Sequence, residues 1–85
     1  MGRFYNLSKE IGDEARDRII REIQELDHVN RVWYSEEPVG LCIFADDDAY
    51  TNVMNRTVNI CSRDGAGAEL SFGGYVQEDG SLVLF

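Results

Sequence analysis

The stretch LCIFADDDAYTNVMNRTVNIC, Leu41 to Cys61, joins two hydrophobic patterns end to end. Leu41–Ala45 is apolar on both alternate sets of positions, so it reads as a strand covered on both faces in the middle of a sheet. Further on, Tyr50, Val53, Met54, Thr57, Val58 and Cys61 recur at intervals that place them on one stripe of an amphipathic helix. Gly65 is expected to close that helix in the left-handed conformation. Asp46, Asp47 and Asp48 lie between strand and helix. One is expected as the N-cap and the other two in the first turn, where carboxylates meet free amides and the positive end of the helix dipole. A calcium or magnesium loop needs more oxygen ligands at set intervals and a glycine for its turn, which this run does not supply.

Working upstream, HVNRVWYS (His28–Ser35) sets Arg31 and Trp33 on one face and Val32 and Tyr34 on the other, as an edge strand does. The breaker EEPVG turns the chain around Pro38 and Gly40 into Leu41. Before it, SKEIGDEARDRIIREIQELD carries Ile11, Ala15, Ile19, Ile23 and Leu26 at helical spacing. Ser8 or Asp13 is the expected cap, with Asp17/Arg21, Arg18/Glu22 and Arg21/Glu25 as i,i+4 pairs on the wet face. His28 follows, where it is expected to meet the last carbonyls of that helix. RFYNL (Arg3–Leu7) reads as a first strand. Downstream, AELSFGGYV alternates Leu70, Phe72 and Val76, and Asp79-Gly80 joins it to SLVLF as a hairpin.

The order is strand, helix, strand, strand, helix, strand, strand, in one domain over residues 1–85. The first six elements predict an α+β, ferredoxin-like β-α-β-β-α-β sandwich, with two helices on one face of an antiparallel sheet and the first and third strands inside. The last strand adds to the sheet by the hairpin. Edge strands can pair between chains, so a dimer is open.

Charge narrows function more than any motif does. Sixteen acids face eight Lys and Arg, for a formal net charge of −8. Residues 36–85 carry nine acids against Arg56 and Arg63 alone. Such a surface repels nucleic acid and anionic membrane, and it is steered toward basic surfaces. No apolar run reaches the roughly 18 residues of a membrane span, and the N-terminus has no apolar signal region, so a cytoplasmic location is expected. Gly2 lacks the Ser or Thr that a myristoylation signal needs, since Asn6 stands there. Cys42 and Cys61 fit no zinc or redox spacing and are expected in the core. No serine elbow, phosphate loop or dinucleotide fingerprint is present, so the reading has no catalytic residue, metal or cofactor.

Phe4 to Arg63 resembles, in outline, the heavy-metal-associated domains. ELDHVNRVWYS followed by GLCIF is similar to the end of their helix and the strand hairpin after it. The resemblance implies their ferredoxin-like fold. It does not carry over their metal site, because the loop that holds two cysteines in that family reads SKEIGDEA here. In charge and size alone the chain also resembles the small acidic phage-encoded inhibitors of bacterial defence, the anti-CRISPR proteins. That likeness implies a carboxylate surface filling a basic channel that otherwise holds nucleic acid. The expected function is therefore a non-enzymatic protein-binding module, an inhibitor docking on a basic nucleic-acid-binding partner. The expected contacts are Glu36, Glu37, Asp46, Asp47 and Asp48, with Trp33 as an anchor if it stands away from the helices. The reading needs these residues on one surface. The alternative is a degenerate metal-domain relative that responds to a small ligand or metal through Cys42, Cys61 or His28.

Overall fold

A strand apolar on both sides belongs between two others, and that is where Val39–Ala45 (β3) lies. In the computed structural model, which describes Met1–Phe85, the order is β1 (Gly2–Leu7), α1 (Asp13–Gln24), β2 (Val29–Glu36), β3, α2 (Tyr50–Asp64), β4 (Leu70–Val76) and β5 (Leu82–Leu84). The fold is α+β: an open five-stranded antiparallel sheet, ordered β2-β3-β1-β4-β5, with two helices. This is consistent with the expected arrangement, with β5 added outside β4. No helix is long and apolar enough to cross a membrane.

Two cores result from the alternation along β1 and β3. Leu41, Ile43 and Ala45 join Tyr5 and Leu7 under Ile19 and Ile23 of α1 and Tyr50, Val53, Ile60 and Cys61 of α2. Both helices thus cover one side of the sheet. Burying each of the larger side chains there stabilises the fold by about 1.5–3 kcal/mol. The other side has no helix, yet Phe4, Cys42 and Val76 are 0–1% exposed. Trp33, Phe44 and Leu82 lean over them. The Phe4 ring lies down because its neighbours are glycine: a Cβ at Gly40 would sit 2.5 Å from it, and one at Gly73 2.9 Å.

Several local expectations are corrected. The first helix begins at Asp13, with Gly12 at the N-cap and no side-chain cap. Ser8 is used elsewhere: it extends the β1–β4 pairing, its N–H donating to the Glu69 carbonyl and its Oγ accepting from the Glu69 N–H, both at 2.9 Å. None of the three i,i+4 pairs forms. Arg16 pairs with Asp13 at 2.8 Å and reaches Glu36 at 3.4 Å, while Glu22 is taken by Arg63 of α2. The buried face of α2 contains Tyr50, Val53, Thr57, Ile60 and Cys61, and Val58 is left exposed. Gly65 is not left-handed (φ −106°), and Ala66 and Gly67 take that conformation instead. Gly65 is required by space, since a Cβ there would lie 2.6 Å from the Cys61 carbonyl oxygen. An extra residue at Gly73 bulges β4, so Leu70 and Phe72 pair with the helix-side residues Leu7 and Tyr5 while Val76 joins the opposite core.

Candidate functional site

The aspartate run does not begin the helix. Ala49 is the N-cap of α2, and the first turn of α2 holds no acid. Asp46–Asp48 form the preceding turn, in which the Asp46 carbonyl accepts from the Ala49 N–H at 2.9 Å. The Asp46 carboxylate has other partners: Oδ2 lies 2.9 Å from His28 Nδ1, and Oδ1 accepts from Asn30 Nδ2 at 3.3 Å. His28 therefore does not cap α1. It takes a left-handed backbone (φ 72°) that turns the chain into β2, and its carbonyl accepts from the Asp46 N–H at 3.0 Å.

These contacts gather acids from two turns. Hydrogen bonding to Asp46 raises the His28 pKa, and the charges of Asp46, Asp27 and Asp48 add to it. The His28 and Asn30 hydrogen bonds in turn lower that of Asp46. Beside them, between the end of α1 and the start of α2, runs a groove of about 700 Å³ lined by Glu25, Asp27, His28, Asn52, Arg56 and Asn59, among others. Asp27, Asp46, Asp47 and Asp48 are exposed, and His28 and Arg56 are the basic groups nearby.

Glu36 and Glu37 are not part of this cluster. Glu36 pairs with Val39 at the start of β3, whereas Ala45, at its far end, leads into Asp46. Seven strand residues separate the two groups, about 20 Å at a rise of about 3.3 Å each. The structure thus has two acidic poles rather than the single surface expected from the sequence. At the second pole Arg16 pairs with Asp13 and Glu36 together.

Trp33 belongs to neither pole. It lies mid-strand opposite Cys42, on the side away from the helices, and is partly buried. It stacks on Phe44 (centroids 5.9 Å, planes 25° apart), and the Arg31 guanidinium covers both rings at 4.7 and 5.4 Å. Stacking of this kind holds the indole in place.

The two thiols sit on opposite sides of the sheet, Cys42 under Phe44 and Cys61 on the inner face of α2. Burial pushes both up to about 11, so neither is a thiolate near neutrality. No group of three or more His, Cys, Asp and Glu is placed to hold a metal ion. Arg63 ties the helices together by reaching Glu22 and, at 3.0 Å, Asp64, whose carboxyl is held down to about 2 by hydrogen bonds from Arg63 first. The sequence reading missed Glu25 and Asp27 as members of the aspartate pole. They follow the helix as ordinary surface acids; the pairing of Val29 with Ala45 brings Asp27 to the His28–Asp46 pair, while Glu25 lines the groove. No family model matches the chain, and neither a curated protein nor a solved structure does.

Proposed function

We propose that the protein is a non-enzymatic, ferredoxin-like interaction module of the cytoplasm, an inhibitor of the phage anti-CRISPR kind. It docks its aspartate pole on the basic surface of a nucleic-acid-binding partner. The convergence of Asp27, Asp46, Asp47 and Asp48 on one end, with one histidine among them, is the observation that carries the reading. Carboxylates held by a turn and left in water present fixed negative charge where a basic channel expects phosphate. Glu36 and Glu37, at the other end of β3, drop out of this contact, and so does Trp33, which covers the helix-free core.

The purified chain, used as bait at about 50 and about 300 mM salt, tests this. The expected result is a nucleic-acid-binding protein held at low salt and released at high salt, and lost when Asp47→Lys and Asp48→Lys are combined. Capture that survives the double substitution sinks the role of the pole. A second reading, a module responding to a small polar ligand, rests on the groove that carries Asn52, Arg56 and Asn59 beside His28. Calorimetric titration with small polar ligands separates the two.

A further inference from the structure

We propose that β5 is the seat of a homodimer, two copies of this chain pairing antiparallel about a two-fold axis at Val83. β5 is a sheet edge, joined to β4 alone. The Gln77 N–H donates to the Ser81 carbonyl at 2.9 Å and the Phe85 N–H to the Gly73 carbonyl at 3.1 Å, so Ser81 and Phe85 turn their main-chain groups toward β4. Alternation along the strand turns Val83 the same way and directs the N–H and C=O of Leu82 and Leu84 outward. In an antiparallel pair registered Val83 to Val83, Leu82 of each copy meets Leu84 of the other, and each such pair exchanges both hydrogen bonds. An isologous contact of this kind closes on itself.

The side chains suit the same occupant. The rings of Phe72, Tyr75 and Phe85 lie with centroids 5.4–5.6 Å apart, next to Val83, which pairs with Tyr75. Phe72 is 43% exposed, Val83 42%, Leu84 49% and Phe85 81%. With about 150–250 Å² for an aromatic side chain, these four present roughly 400 Å² of apolar surface per copy. Two copies with their main chain bury at most about 1,200 Å², the lower end of stable interfaces, as suits a reversible dimer.

Charge selects a second copy over other partners. A chain of −8 repels its twin, but between Leu70 and Phe85 the only charged residues are Glu78 and Asp79. Both precede the last strand, at the hairpin turn, and antiparallel pairing carries the two copies' turns to opposite ends of the contact. A basic partner gains nothing on this uncharged strip. The other edge is guarded: β2 carries Arg31 and Glu36, and Gln24 Nε2 already donates to its Asn30 carbonyl at 3.4 Å. β5 has no Lys, Pro or inward charge to block pairing.

Sedimentation equilibrium of the full chain between about 1 and about 300 µM decides the matter. The expected result is a monomer–dimer equilibrium that tightens as salt rises from about 50 to about 500 mM, because screening relieves the mutual repulsion. Val83→Lys and, separately, Leu84→Lys should each weaken association at least ~tenfold with unchanged far-UV circular dichroism. The chain remaining monomeric at the highest concentration and salt overturns the proposal. So does a dimer that both natively folded variants leave intact. The salt response is opposite in sign to that of the aspartate pole, and Asp47→Lys with Asp48→Lys should leave the dimer in place, so each reading fails independently of the other.

Discussion

The two sides of β3 are equally dry but by different means. Leu41 and Ile43 are covered by two helices, as a two-layer fold requires. Cys42, with Phe4 and Val76, is covered by rings of the same sheet, laid flat over glycines. Burial therefore does not need a second layer when flat aromatic side chains and Cβ-free neighbours are interleaved. The helix side is held by elements distant in sequence, whereas the open side is held by a few rings whose outer surfaces meet water.

The largest expected effect tests whether the open side is a core at all. Leu41→Ala should cost about 2–5 kcal/mol and Phe4→Ala about 3–5 kcal/mol in urea unfolding, either being a large share of the stability of so small a domain. A cost below ~1 kcal/mol for Phe4→Ala would break the comparison and make that side an ordinary surface. The thiols sharpen it next. Cys61→Ser and Cys42→Ser should each lose about 1–3 kcal/mol, because a hydroxyl replaces a buried sulfur without an offered partner. At pH 8 both cysteines should resist alkylation in the native protein and react on unfolding, since burial holds both near 11. Fast native labelling of Cys42 alone would show that the ring cover opens while the helix cover stays shut.

Trp33→Ala should cost at least about 1–2 kcal/mol, the ring stack and one cation–π contact, with the lost burial over Phe4 and Cys42 added to it. Because Trp33 is the sole tryptophan, its fluorescence in the Arg31→Gln variant reports the loosened stack directly. An unchanged spectrum would separate Arg31 from the cover. The smallest effect lies outside both cores. His28 should titrate above its ordinary 6.5, and Asp46→Asn should bring it back toward that value in an NMR titration. Its folded-state pKa is raised, so its stabilising contribution is complete below about 6.5 and fades as pH rises through the folded value. Above that value the pole loses the positive charge of His28, so binding to a basic partner should strengthen. No shift in Asp46→Asn would detach the histidine from the aspartate turn.

Much of this architecture was legible locally. The unbroken apolar run Leu41–Ala45 and the three- and four-residue spacing of Ile19, Ile23, Tyr50, Val53 and Cys61 report which side chains must leave water. That need is independent of what they pack against. The edge character of β2 showed in its mixed faces. The α1 start did not, because Ser8 caps a helix and extends a ladder with equal chemistry, and only the presence of Glu69 across the sheet decides between them. The aspartates misled for the same reason. Acids before an apolar stripe satisfy free amides unless a neighbour competes for them, and His28 and Asn30 do so for Asp46.

By itself, then, the sequence determined the number, kind and order of elements, the excess of negative charge and the burial of both cysteines, since each depends on the residues and their spacing. The parting of Glu36 and Glu37 from Asp46–Asp48 follows from the length of β3, which lies between them. Tertiary structure alone decided that Asp27 joins the aspartates and that Trp33 turns away from the helices, because both depend on strand register, in which a shift of one residue exchanges the two faces of a strand.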